Sequence, residues 1–354
     1  MSNLIQKLSG ELEGKSFKFS DIDVFGDVDN WISTGSPYLD YCLKTHGYPT
    51  GIVEVRGASQ SGKTTFSLEA MKSCISQYKD KAVVVILSSE RRDNRALAKM
   101  IGVPLDDVLI IPTRTIEEVF NQLSRTVDKV KELNGDSLEG IRFFFVWDSL
   151  GNTVSKAEAD ALQIRKDNKK KDDDTKSAAM ASAARAISLG LRGVVSLTDE
   201  IDSTFFIINR AYNKIGGVGK TSYGGTAVEF YPNMRIELAR KEGVKVGDDE
   251  VGQITLVKTI KTDFDRPKQQ FECEIGYGYG LVLCQGDIDL GIELGLLEKF
   301  GQNGAKFNEK LKWKSRRELY RHYEEKNPML NVFVKKLTKA LHKMTVEEHQ
   351  ARME

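Results

Sequence analysis

The chain has 354 residues, 40% of them hydrophobic, enough for one large buried core with appendages or about two ordinary domains. Its 52 Lys and Arg almost balance 51 Asp and Glu, and a formal net charge of +1 excludes attraction of a polyanion by the whole surface. Cys42, Cys74, Cys273 and Cys284 lie far apart without a C-x-x-C pair, which argues against a zinc site or a disulfide framework. No apolar run approaches about 18 residues and the first residues lack an apolar signal core, so the sequence predicts a soluble, cytoplasmic protein without a membrane partner.

Residues 1–30 read as an arm. A short amphipathic helix around Leu4, Ile5, Leu8 and Leu12 precedes the alternating Phe17-Lys18-Phe19 and an acidic stretch beginning at Asp21. Such a segment cannot bury its apolar side alone, which predicts docking on another surface, such as a neighbouring subunit. From about Trp31 to Gln285, β-rich apolar runs alternate with segments of helical period, the pattern of a parallel sheet covered by helices. The clearest strands are Ala82 to Leu87, Phe143 to Trp147 and Phe205 to Ile208, continuous apolar runs suited to burial on both faces.

Between the apolar run Ile52 to Val55 and a predicted helix lies Gly57-Ala58-Ser59-Gln60-Ser61-Gly62-Lys63-Thr64-Thr65. It fits G-x-x-x-x-G-K-[ST], a P-loop for a nucleoside triphosphate. Glycines let successive N–H groups curl around phosphate oxygens, Lys63 neutralises the β and γ phosphates, and Thr64 offers a hydroxyl to Mg²⁺. The helix that follows adds its positive dipole end. Typical residue usage places such a pattern by chance in roughly 1% of chains of this length, so an incidental Gly/Ser loop is strongly disfavoured.

In a parallel sheet the carboxyl ends of the strands share one edge, where ligands bind. Polar residues collect at those ends: Ser88-Ser89-Glu90, Asp148-Ser149 and Asn209-Arg210. Asp148, closing an apolar strand downstream of the P-loop, is a Walker B aspartate by position and a candidate Mg²⁺ holder with Thr64. Glu90 is placed to orient or deprotonate a water attacking the γ-phosphate; its bland alternative is a solvent-facing glutamate at a helix start.

Two polar segments follow. Residues 156–177 include Arg165-Lys166 and Lys169, Lys170 and Lys171, but Asp172 to Asp174 adjoin them, so a solvated linker and a phosphate-touching loop have equal claim. Residues 210–226 carry Arg210, Lys214 and Lys220, no acidic residue and five glycines, the composition of a mobile cationic loop in which Tyr212 and Tyr223 stack on bases or anchor the ends. From Ala305 to Lys343 there are twelve Lys and Arg against four Asp and Glu, a net of +8 that suits electrostatic gathering of duplex DNA or, more plainly, a solvated helix surface.

Together these motifs resemble the RecA-type recombinases and, more narrowly, the phage recombinases of the UvsX type. The likeness runs from Ile32-Ser-Thr-Gly-Ser-Pro-Tyr-Leu-Asp through Gly51-Ile-Val-Glu-Val-Arg-Gly, the P-loop and Trp147-Asp148-Ser-Leu-Gly-Asn. It resumes at Ile208-Asn209-Arg210 and Tyr223-Gly-Gly-Thr-Ala-Val-Glu-Phe-Tyr, and Gly286-Asp-Ile-Asp-Leu-Gly-Ile-Glu-Leu-Gly-Leu-Leu looks like the entry to that family's C-terminal domain. The fold implied is α/β: a RecA-type P-loop core over 31–285 with a mostly parallel sheet flanked by helices, a polymerisation arm over 1–30, and a small basic C-terminal α/β domain over 286–354.

The resemblance implies an ATP- and Mg²⁺-dependent helical filament on single-stranded DNA that searches duplex DNA for homology and exchanges strands, with ATP between adjacent subunits. It implies mediator and single-stranded DNA-binding proteins as partners, and the host cytoplasm if the source is a phage. Glu90, Lys63 and Arg210 are the catalytic candidates, and Lys169, Lys170, Lys171, Arg210, Lys214, Lys220 and Tyr223 the DNA-facing ones. Arg210 stands where the family has a γ-phosphate-sensing glutamine or histidine, and Leu97 where it has an adenine-stacking tyrosine. Lys258 and Lys261 correspond to lysines that reach a neighbour's nucleotide, at a separation one residue longer than in RecA itself. A hexameric RecA-fold helicase and a small-molecule P-loop kinase are the rival readings.

Overall fold

The computed structural model describes residues 30–90, 94–167, 174–198, 200–213, 220–264 and 267–353. Of the arm expected over residues 1–30, residues 1–29 lie outside the described residues, as do Lys169, Lys170, Lys171 and Lys214. Trp31–Glu354 forms one compact unit.

In chain order its elements are α1 (Pro37–Cys42), β1 (Gly51–Gly57), α2 (Lys63–Tyr78), β2 (Ala82–Ser88), α3 (Arg95–Ile101), β3 (Val108–Pro112), α4 (Ile116–Leu133) and β4 (Arg142–Asp148). There follow α5 (Lys156–Asp167), α6 (Asp174–Thr198), β5 (Ser203–Asn213), β6 (Lys220–Ser222), α7 (Thr226–Phe230), β7 (Met234–Val246), β8 (Asp249–Thr262), β9 (Gln270–Gly276) and β10 (Gly280–Val282). The chain then runs through α8 (Gln285–Glu293), β11 (Glu298–Lys299), β12 (Ala305–Asn308), β13 (Leu311–Trp313), α9 (Arg316–Glu324) and α10 (Pro328–Met353).

The central sheet has ten strands in the order β10-β9-β8-β7-β1-β5-β4-β2-β3, with β6 paired to β5. Neighbours from β7 across to β3 are parallel. The sheet is therefore an α/β core with a parallel centre, as the apolar runs predict. Beyond β7 it continues as an antiparallel ribbon, β7-β8-β9-β10. The sequence reading of a parallel pattern up to Gln285 missed this ribbon: the described residues of 234–282 contain no crossover helix, and long strands joined by short turns can only pair antiparallel.

Each face of the sheet has its own core because successive side chains alternate sides. Val53, Val55, Val84, Phe144, Val146, Phe206 and Ile208 pack under Phe66, Leu68 and Met71 of α2. Ile52, Val85, Leu87, Phe143, Phe145, Trp147, Phe205 and Ile207 pack under α4 and α6, whose apolar residues Val119, Leu123, Val127, Ile187 and Leu191 recur at helical spacing. Thr115 caps α4, its hydroxyl accepting from the Glu118 N–H at 3.2 Å. A third cluster, including Leu283, Trp313, Leu319, Phe333 and Leu337, lies under the three-stranded sheet β11-β12-β13 and its helices.

Two segments differ from the sequence expectation. Residues 156–177, expected as a loop, are helical over Lys156–Asp167 and again from Asp174; alternating Ala with Leu, Glu and Lys favours a helix in the first of these. Residues 210–226, expected as a mobile loop, have a β-paired stem in which Ala211, Tyr212 and Asn213 face Ser222, Thr221 and Lys220. Among the described residues, no helix is long and apolar enough to cross a membrane.

Candidate functional site

The P-loop connects β1, buried along its whole length, to α2, which begins at Lys63. Gly62 holds φ +98°, and a Cβ there would lie 2.4 Å from Ile275 Cδ1. At Gly57 a Cβ would lie 2.4 Å from both the Leu238 carbonyl oxygen and Ser61 Oγ. Both glycines are therefore required by backbone conformation or space. Lys63 folds back over the loop, its Nζ donating to the carbonyls of Gly57 at 3.0 Å and Ala58 at 2.6 Å.

The strand register brings the other candidates to the same edge. Arg210 lies opposite Gly57 across β1 and β5, and Asp148 opposite Ser88 across β4 and β2. The Ser149 N–H donates to Ser89 Oγ at 3.1 Å, and that hydroxyl donates to the Ser149 carbonyl at 2.9 Å, tying the ends of β2 and β4 together. Glu90 Oε1 accepts from Asn152 Nδ2 at 2.6 Å and Ser149 Oγ at 3.2 Å. Arg210 Nη2 donates to Asn152 Oδ1 at 2.7 Å.

Two of the four charged groups, Lys63 and Asp148, are shifted by burial and by their neighbours. Burial raises the Asp148 carboxyl to about 6, the Glu90 charge adds to the rise, and Lys63 opposes it. Burial lowers the Lys63 ammonium, Arg210 lowers it further, and Asp148 and Glu90 offset part of this. A carboxyl and an ammonium both shifted within one compact site are a feature shared with many catalytic centres.

Beside the P-loop opens a cleft of ≈ 450 Å³. Ser61, Lys63, Thr64 and Thr65 form one wall; Leu97 and Ile101 from α3 and Arg240, Gln253, Ile275 and Tyr277 from the antiparallel ribbon form the others. Leu97, which replaces an aromatic in the resemblance, thus faces the cleft with apolar surface. The residues present fit a magnesium-bound triphosphate: the glycines leave room that a Cβ would fill, Ser61 Oγ is buried without a hydrogen-bond partner among the described residues, and Thr64 supplies a hydroxyl with Asp148 near Lys63.

Sequence reasoning missed Asn152 and the ribbon wall. It also missed a polar ladder beneath the β5–β6 stem. Glu54, fully buried, accepts from Asn209 Nδ2 at 2.8 Å and from Arg235 Nε at 2.7 Å. Arg56 and Arg235 both donate to Ser222 Oγ at 3.1 Å, Arg56 pairs with Glu237 at 2.8 Å, and Asn209 Nδ2 also donates to the Tyr223 carbonyl at 2.9 Å. The alternation Glu54, Arg56 on an otherwise apolar strand is the sequence signal that could have revealed it.

Lys258 and Lys261 do not line the cleft. Lys258 faces Glu237 and Lys261 faces Arg235, while Thr259 faces Ile236, so Ile260 is one extra residue in β8. This bulge absorbs the longer spacing and sets both lysines on one face, opposite residues two apart. Lys261 Nζ donates to the Phe230 carbonyl at 2.7 Å. Tyr223 is half-buried at the stem, and Lys220 has its backbone in β6. Lys310, Lys312, Lys314, Arg316, Arg317 and Arg321 are exposed, with Lys312 paired to Glu309 and Arg316 to Glu274.

The profile of the RecA N-terminal domain matches residues 14–282. The chain is 31% identical to Protein RecA of Streptomyces venezuelae over 274 residues, 76% of this chain and 66% of that protein. It is 30% identical to Protein RecA of Thioalkalivibrio sulfidiphilus over 298 residues, 82% of this chain and 78% of that one, and 32% identical to Protein RecA of Psychrobacter cryohalolentis over 279 residues, 78% and 72% respectively. The alignment with the Streptomyces protein thus spans slightly less than two thirds of that relative. With its profile matched across most of the chain and its P-loop set at the edge of a RecA-type α/β sheet, the chain belongs to the RecA family.

Proposed function

We propose that this protein is a DNA-dependent ATPase and recombinase that polymerises on single-stranded DNA and pairs it with homologous duplex. One observation carries the reading: Lys63, Asp148, Glu90 and Arg210 meet at one sheet edge, and the strand bearing Arg210 continues straight into the stem of a cationic hairpin.

In this reading the backbone N–H groups from Ala58 to Gly62 cradle phosphate, Lys63 offsets its charge, and Thr64 and Asp148 hold the cation. Bound Mg²⁺·ATP supplies the phosphoanhydride to be cleaved and a cation that offsets developing charge. Glu90 holds and deprotonates the attacking water, a role that needs only hydrogen-bond reach. Arg210 contacts the γ-phosphate with a fixed charge and reports its presence to the hairpin, whose Lys214, Lys220 and Tyr223 face the single strand. Leu97 and Ile101 offer an apolar surface to the base.

The family likeness supports the filament assembly, with residues 1–30 as polymerisation arm and Lys258 and Lys261 reaching a neighbour's nucleotide. Lys169 to Lys171 form the first DNA-facing segment and the basic part of 286–354 gathers duplex DNA. The narrower likeness to UvsX-type proteins supports a phage source, action in the host cytoplasm, and mediator and single-stranded DNA-binding partners. Electron microscopy with ATP and single-stranded DNA tests the reading. Open helical filaments are expected; closed rings would assign the chain to the hexameric helicases, and ATP turnover indifferent to DNA would assign it to the kinases.

A further inference from the structure

Asn152 sits between the two groups whose communication matters most. Its neighbours fix the direction of its amide: a carboxylate only accepts and a guanidinium only donates, so Nδ2 faces Glu90 and Oδ1 faces Arg210. The result is a three-residue relay, Arg210 to Asn152 to Glu90, at 2.7 and 2.6 Å. Glu90 Oε1 thereby already accepts two hydrogen bonds, from Asn152 and from Ser149.

We propose that Asn152 is a positioning residue that restrains Glu90 while Arg210 rests on it, and so sets how far DNA accelerates ATP hydrolysis. This rests on the reading of Glu90 as the group that activates water. Arg210 stands on β5 directly before the paired stem residues Ala211 to Asn213, so a pull on the stem by bound DNA and the attraction of Arg210 to a phosphate both draw the guanidinium away from Asn152. The amide then loses the partner that fixes it, and Glu90 loses a donor and becomes available to water. Gly151 suits this motion: a Cβ there would touch the Arg210 side chain at 3.4 Å. Asn152 itself is exposed, so its replacement leaves the core intact.

The test compares phosphate release by wild type, Asn152→Ala, Asn152→Asp and Glu90→Gln, each with and without saturating single-stranded DNA, over a range of ATP concentrations. Asn152→Asp keeps an acceptor for Arg210 but no donor for Glu90; Asn152→Ala keeps neither. Both are expected to raise DNA-free turnover roughly tenfold, the worth of one hydrogen bond to a charged group, and to lower the stimulation ratio by the same factor. DNA-saturated turnover and KM for ATP stay within about twofold, which a merely structural role would not produce. A DNA-free rate that is unchanged or lower in both variants, with wild type stimulated and Glu90→Gln inactive, overturns the proposal. A wild type indifferent to DNA, or a fully active Glu90→Gln, overturns the underlying reading of the site and this proposal with it.

Discussion

Gly57 and Arg210 lie directly opposite each other on adjacent parallel strands. The first glycine of the phosphate loop and the first residue of the cationic hairpin thus occupy the same step of the sheet, and a shift of either strand end is felt by the other. Arg210→Ala is expected to keep nucleotide affinity, because the P-loop is untouched, while losing stimulation of hydrolysis by single-stranded DNA. Fluorescent nucleotide binding and phosphate release check the two halves; unchanged stimulation removes Arg210 from the coupling.

In the proposed function Lys63 carries the phosphate-facing charge of the loop. Lys63→Ala is expected to lower ATP turnover by about 10²–10³-fold, the usual loss when one preorganised electrostatic stabiliser is removed. A variant of near wild-type activity would show that the site has been misassigned.

Asp148 gives a pH dependence with a definite sign. Its folded-state value of about 6 lies above the ordinary 3.8, so the folded chain binds the proton more tightly than the unfolded chain. Ionised Asp148 therefore costs stability above about pH 6, by about 3 kcal/mol for a two-unit shift, and the cost shrinks as pH falls from 6 towards 4. Asp148→Asn is expected to melt at a higher temperature than wild type at pH 7.5, with the gap closing at pH 4, and to lose the Mg²⁺ dependence of nucleotide binding. Equal melting of the two proteins at both pH values contradicts this.

Glu54 holds the buried ladder under the hairpin stem. Glu54→Ala leaves Arg235 without its close carboxylate and Asn209 with one acceptor fewer, and truncating one member of a buried pair typically costs about 3–5 kcal/mol. Urea unfolding measures it. A loss under about 1 kcal/mol would show that water, or Glu229, whose Oε1 lies 3.9 Å from Arg235 Nη2, takes over the charge of Arg235.

The features legible in the sequence were local ones. The P-loop is one contiguous stretch, and Glu90, Asp148 and Arg210 each follow an apolar run whose end had to reach the same sheet edge. Asn152 was not legible, because only the turn after β4 aims its amide at two residues far away in sequence. Arg240, Gln253, Ile275 and Tyr277 reach the cleft through an antiparallel ribbon whose register the alternation of residues does not reveal. The bulge at Ile260 likewise shows only in pairing, where it turns an odd lysine spacing into a shared face.

In the proposed function nucleotide and single-stranded DNA are sensed at one sheet edge, so each changes the protein's hold on the other. Phosphate release by the wild-type chain, measured with and without single-stranded DNA across a salt series, tests it most directly. Faster release with DNA is expected, with the gain fading as salt displaces the strand; equal rates at every salt concentration would show that the two ligands are not coupled.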